Sequence, residues 1–135
     1  MFKGNNMNEE IILKSENGVG IITLNRPERL NALTYNIVKK MNNFLDKCES
    51  DDDIKCVIIE GAGEKAFCAG GDVVSLRKQV LDEGGPPTEL SEKFFYDEYL
   101  LNYKINNFTK PYIALIDGVT MGGGVGVSMH GSHIV

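Results

Sequence analysis

Cys56-Val57-Ile58-Ile59-Glu60, followed closely by Ala66-Phe67-Cys68-Ala69-Gly70-Gly71-Asp72, is an apolar strand that runs on into bare backbone. The pattern returns at Tyr112-Ile113-Ala114-Leu115-Ile116, followed by Met121-Gly122-Gly123-Gly124-Val125-Gly126. Continuous apolar runs such as Val57-Ile58-Ile59 are expected of strands covered on both faces. Glycine behind a strand lets peptide N–H groups approach a ligand without a side chain in the way. Two such strand ends in one fold can aim two N–H donors at a single oxygen, which is the layout of an oxyanion hole. At the second end the helix expected from Gly123 onward would leave its first N–H groups unpaired, with the positive end of its dipole behind them.

Working outward, Ile11–Leu13 and Val19–Leu24 are short apolar runs joined by Ser15-Glu16-Asn17-Gly18, and Asn-Gly between such runs signals a hairpin. Asn25-Arg26-Pro27 stops the second run, because proline cannot donate to a ladder. Ile37, Val38, Met41, Phe44, Leu45 and Cys48 are spaced 1, 3, 3, 1 and 3 apart, one face of a helix ending near Cys48. Thr34 is its expected N-cap. Asp51-Asp52-Asp53 reads as a solvated acidic turn, since calcium loops alternate their ligands around a central glycine. Arg77 to Thr88 is polar, and Gly84-Gly85-Pro86-Pro87 breaks any helix there. Glu89 to about Asn106 fits a second amphipathic helix with Leu90, Phe94, Leu101 and Ile105 on one face. Lys110-Pro111 closes it. The expected order is hairpin, helix, strand, helix, strand, glycine turn, helix start, an α/β layered fold. Ser132-His133-Ile134-Val135 look like the entry to another strand, so residues 9–135 are expected to be the N-terminal part of a domain incomplete at its C-terminus, with residues 1–8 a flexible N-terminus.

The 135 residues are 42% hydrophobic and 24% charged, a globular balance for one domain or part of one. The net charge of −5 and pI near 5.0 argue against a nucleic-acid partner. Cys48, Cys56 and Cys68 suggest reduced thiols rather than a disulfide framework or a metal site. No apolar run approaches the roughly 20 residues that span a bilayer. Met1–Glu10 holds one Lys, two Glu and no Arg, neither a secretory signal nor a clear transit peptide.

Two phosphate-binding motifs are set aside. Gly61-Ala62-Gly63-Glu64-Lys65-Ala66 matches a dinucleotide fingerprint with Ala in its last place. The acids about 20 residues on, Asp82 and Glu83, lie in a Gly/Pro-rich loop rather than at a strand end. Gly70-Gly71 would also fall inside the helix that motif must open, at about 1 kcal/mol each. A Gly-Lys-Ser/Thr sequence does not occur. Cys68 reads as a small buried residue rather than a nucleophile. His130 and His133 are expected to lack the Ser and carboxylate partners of a triad.

Asn25-Arg26-Pro27-Glu28-Arg29-Leu30-Asn31-Ala32-Leu33, Ala66–Asp72, and Lys110-Pro111 with Gly118 and Gly122-Gly123-Gly124 resemble the crotonase (enoyl-CoA hydratase/isomerase) superfamily in order and spacing over residues 9–131. Within it, Phe94-Phe95-Tyr96-Asp97-Glu98-Tyr99 and Met121–Gly131 are similar to the 3-hydroxyisobutyryl-CoA hydrolases. The resemblance implies a crotonase-like spiral of ββα units, truncated here, and an acyl-CoA substrate with no separate cofactor or metal. It puts the two oxyanion donors on the N–H groups of Gly71 and Gly123. It puts substrate contacts on Glu98 and Gly123, on Arg29 and Leu30 of the turn after the hairpin, and on Ala69 and Asp72. Asp72, at a helix start, is expected to brace the turn rather than react. Valine catabolism, a mitochondrial address (the cytoplasm as alternative) and a homo-oligomer if the chain were complete also follow from the resemblance alone.

The hydratases of this superfamily carry a catalytic Glu two residues after the Gly-Gly-Gly run, where this sequence has Gly126. The hydrolases are similar at that place, and the resemblance sets their reactive Glu and Asp beyond Val135. The expected activity is thioester hydrolysis, with residues 1–135 inactive alone. A non-catalytic acyl-CoA-binding fragment and a hydratase or isomerase relative are the alternatives.

Overall fold

The computed structural model describes residues 9–85 and 89–135, so the expected flexible N-terminus at residues 1–8 and the Pro86-Pro87 part of the helix breaker lie outside the described residues. Ile11–Glu16 (β1) and Val19–Leu24 (β2) pair antiparallel from Ile11↔Leu24 to Glu16↔Val19. The two-residue turn between them has positive φ at both Asn17 (52°) and Gly18 (80°), the twist that right-handed strands accept most readily. Tyr35–Ser50 (α1) follows a short 3₁₀ turn at Pro27–Arg29. Thr34 caps α1, its hydroxyl accepting from the Ile37 N–H at 3.2 Å.

Cys56–Gly61 (β3), Ala66–Cys68 (β4), Val73–Asp82 (α2) and Glu89–Asn106 (α3) come next. Tyr112–Leu115 (β5), Val119–Thr120 (β6), Gly123–Met129 (α4) and His133–Ile134 (β7) complete the chain. Strand, strand, helix therefore recurs three times: β1-β2-α1, β3-β4-α2/α3 and β5-β6-α4. The main sheet runs β1-β2-β3-β5-β7 and is parallel from β2 to β7, whereas β4 and β6 form a separate two-stranded parallel sheet. This is the expected mixed α/β spiral of ββα units, including the strand entered at Ser132.

Three differences from the sequence expectation have physical causes. β4 and β6 are three and two residues long, too short to show a period. Arg77 to Asp82, read only as polar sequence, form the second half of helix α2, in which Val80 alone is buried, so it lacks an apolar stripe. The sheet is packed firmly on one face only. Gly20, Ile22 and Leu24, Val57 and Ile59, and Tyr112 and Ala114 are buried in register, while Ile21, Ile58 and Ile113 on the opposite face are partly open. On the buried face α1 lies close because Gly20 has no side chain: a Cβ there would stand 2.8 Å from the Cys48 sulfur. α3 packs over α1 and buries its Phe94, Leu101 and Ile105. No helix among the described residues is long and apolar enough to cross a membrane.

Candidate active site

The first glycine segment is pinned by backbone bonds on either side of Gly71. The Leu33 N–H donates to the Gly70 carbonyl at 2.7 Å, and the Asp72 N–H donates to the Leu33 carbonyl at 2.8 Å. Gly70 bends with φ 104°, a conformation open to glycine. The second segment is tied to the first, since the Met121 N–H donates to the Cys68 carbonyl at 3.0 Å. Gly122 then turns with φ 50° into α4.

These bonds bring the two segments into van der Waals contact. A Cβ on Gly70 would lie 3.2 Å from the Gly123 nitrogen, and a Cβ on Gly123 would lie 3.3 Å from the Gly71 nitrogen. Among the described residues neither the Gly71 nor the Gly123 N–H has an acceptor. Two unpaired peptide donors thus sit side by side.

A carboxylate stands next to them. The same Gly123 Cβ would come within 2.6 Å of Glu98 Oε1. Glu98 projects from α3, one turn after Phe94, whose ring lies 3.5 Å from the Cβ position of Gly71. Glu98 is half-buried, and burial pushes its carboxyl above the ordinary Glu value.

Leu30 and Ala69 are joined by the Ala69 N–H to Leu30 carbonyl bond of 2.9 Å, which places the turn after the hairpin beside the first glycine segment. Leu30 has φ 51° and is exposed, as is Arg29, which makes no ion pair among the described residues. Asp72 caps α2, accepting from the Ser75 N–H at 3.0 Å and the Ser75 hydroxyl at 2.9 Å, and it accepts from Arg26 Nη2 at 3.0 Å. Burial pushes its carboxyl up, but those hydrogen bonds and the Arg26 charge outweigh it and hold the group below the usual Asp range. Its oxygens are engaged in bracing.

The bracing roles of two residues of the quoted motif went unread in the sequence. Arg26 donates through Nη1 to the Ala32 carbonyl at 2.8 Å while holding Asp72, so it fastens the turn to the start of α2. Asn31, fully buried with φ 55°, donates to the Ala62 and Ala66 carbonyls at 2.9 and 2.8 Å and accepts from the Arg26 N–H at 2.9 Å. Asparagine is among the few residues that tolerate this conformation, which was the available signal.

The thiol of Cys68 is buried and pushed up to about 11 by that burial, with the Glu98 charge adding to it and a Gly70 backbone bond opposing. It is a poor nucleophile. The expectation that His133 lacks a serine neighbour is corrected: Ser132 Oγ lies 2.9 Å from His133 Nδ1, since the chain's entry into β7 turns the two toward each other. That hydroxyl also accepts from the Tyr112 N–H at 2.9 Å and so serves the sheet, and no described carboxylate pairs with His133.

A family model described as enoyl-CoA hydratase/isomerase matches residues 19–135. The chain is 48% identical over 126 residues to the mitochondrial 3-hydroxyisobutyryl-CoA hydrolase of Danio rerio, covering 93% of this chain and 32% of that protein. It is 46% identical over 136 residues to the mitochondrial 3-hydroxyisobutyryl-CoA hydrolase of Homo sapiens, covering 100% of this chain and 34% of that one. The chain thus spans about a third of the length of these relatives. Among solved structures, a carnitinyl-CoA dehydratase from Mycobacterium thermoresistibile superposes with a TM-score of 0.85 at 43% identity, covering 93% of this chain and 36% of the other. An enoyl-CoA hydratase from Rhodobacter sphaeroides superposes with a TM-score of 0.87 at 35% identity and the same coverage.

Proposed function

The chain belongs to the enoyl-CoA hydratase/isomerase family, and from that premise we propose that it carries the thioester-binding part of a 3-hydroxyisobutyryl-CoA hydrolase. The observation that carries this reading is the contact between two glycines whose N–H groups have no acceptor among the described residues, with Glu98 beside them. Addition of water to a thioester carbonyl puts negative charge on its oxygen. The Gly71 and Gly123 N–H groups hydrogen-bond that oxygen, and the interaction strengthens as the charge grows. One such donor supports about 3 kcal/mol of barrier lowering. The tetrahedral species then collapses, the C–S bond breaks, and coenzyme A leaves as its thiol with a proton returned to sulfur.

Leu30 and Ala69 face the nucleotide end of coenzyme A in this reading, and Arg29 pairs with one of its phosphates. Glu98 contacts the acyl group. Asp72 keeps Gly71 in place. Coenzyme A enters as part of the substrate, with no further cofactor. Gly126 counts against the hydratase alternative, because that reaction would draw on an acid at this position. Hydrolysis needs a base for the attacking water, and the hydrolase resemblance puts the reactive Glu and Asp outside residues 1–135. A polypeptide of these residues alone therefore binds the thioester with little or no turnover, which approaches the alternative of a non-catalytic acyl-CoA-binding fragment. By the same likeness the setting is valine breakdown in mitochondria, with self-association of a protein of the relatives' full length.

Calorimetric titration of residues 1–135 with 3-hydroxyisobutyryl-CoA tests this, with released thiol measured in parallel. Saturable binding with a release rate near background is expected. No binding to any acyl-CoA would remove the reading, and turnover matching a longer relative would refute the division of labour.

A further inference from the structure

Two faces meet where α3 crosses α4. Glu98 and Asn102 are four residues apart on α3, and Gly123 and Gly126 are three apart on α4, so each pair lies on one side of its helix. The Cβ position of Gly123 faces the Glu98 carboxylate. That of Gly126 faces the Asn102 carboxamide, 2.7 Å from Oδ1, 2.8 Å from Nδ2 and 3.0 Å from Cγ. The amide group therefore fills the space into which any side chain at 126 would grow.

The Asn102 oxygen is also buried with no hydrogen-bond partner among the described residues. That oxygen is enclosed, so a group from a ligand reaches the amide at Nδ2, which has no acceptor among the described residues. Asn102 lies one helical turn from Glu98, about 5–6 Å between side-chain origins. Gly126 comes three residues, about one turn, after Gly123 on α4, so the Asn102 carboxamide stands about one turn from the Gly123 donor, a span that a small acyl group covers.

We propose that Asn102 is a specificity-determining residue: its carboxamide stands in the space left by Gly126 and hydrogen-bonds a hydroxyl on the acyl chain of the substrate. This rests on the acyl-CoA reading above. A hydroxyl oxygen accepts from the Nδ2 N–H group, the part of the amide that is not enclosed. The arrangement distinguishes a hydroxylated acyl group from the same group without oxygen, which leaves the amide unpaired.

The test compares 3-hydroxyisobutyryl-CoA with isobutyryl-CoA by calorimetry, on the 135-residue chain and on Asn102→Leu, which keeps the branched shape and heavy-atom count and removes the polar atoms. Unfolding temperatures of both proteins establish that the variant folds, and loss of the unpaired oxygen should leave that of Asn102→Leu equal or higher. The expected result is binding of the hydroxylated ligand weakened about tenfold by the substitution, with isobutyryl-CoA changed by less than about twofold. Equal weakening of both ligands, or a parent chain that does not distinguish them, would overturn the proposal. So would a rise in unfolding temperature with discrimination intact, the mark of an amide that holds only an enclosed water. Failure of the parent chain to bind either thioester would instead remove the acyl-CoA reading, and this proposal with it.

Discussion

Replacing Arg26 by Met tests how the turn after the hairpin is coupled to the first glycine segment. The side chains of Arg26 and Asp72 are 12% and 11% exposed, and their ion pair is 3.0 Å long. Removing one partner of such a pair typically costs about 3–5 kcal/mol, because the other charge stays buried. Asp72 keeps both Ser75 donors, and the second partner of Arg26, Glu10, is more open and 3.7 Å away. The expected loss is therefore at the low end, about 3 kcal/mol. For a domain of this size that corresponds to a melting temperature lowered by about 10–15 °C. Urea unfolding followed by far-UV circular dichroism measures the loss. Its pH dependence identifies the cause. The carboxyl of Asp72 is depressed in the folded state, so its stabilisation is present above the ordinary Asp value and fades as the pH falls through the folded value. The gap between parent and variant should narrow in acid below that ordinary value. A loss under about 1 kcal/mol at pH 7, as for a surface pair, or a loss unchanged in acid, would refute the coupling.

Glu98→Gln should raise the unfolding temperature at neutral pH. Burial lifts the Glu98 carboxyl above its ordinary value, so the stability it favours is present below that value and is lost as the pH rises through the folded one; parent and variant should converge in acid, and a gap that persists there would contradict the assignment. Asn31→Ala strands the Ala62 and Ala66 carbonyls and the Arg26 N–H, with an expected cost of about 3 kcal/mol in the same urea assay. Among the three thiols, Cys56 is partly exposed while Cys48 and Cys68 are buried. A thiol reagent at pH 8 should label Cys56 first and the other two at the rate of unfolding; early labelling of Cys68 would contradict its burial.

Much of the fold was legible because its signals are local. Asn17-Gly18 announces the hairpin, the spacing from Ile37 to Cys48 announces α1, and Thr34 and Asp72 sit where caps are needed. The glycine segments were legible as bare strand ends. What escaped depends on partners distant in sequence. Asn31 reaches carbonyls 31 and 35 residues away, and Asn102 takes its meaning from the missing side chain of Gly126. Helix α2 is stabilised at its start by Asp72 and buries little, so its apolar pattern is weak. On periodicity alone Glu98 reads as an exposed helix position; the approach of α4 makes it half-buried.

The most direct measurement of the central claim is the amide NMR spectrum of residues 1–135 with two ligands, isobutyryl-CoA and its thioether analogue, which lacks the carbonyl. The account predicts that the Gly71 and Gly123 amide protons move downfield with the thioester and not with the thioether, because the thioester alone offers the oxygen they bind. Binding of both ligands with those two amides unmoved, or moved equally, would contradict it.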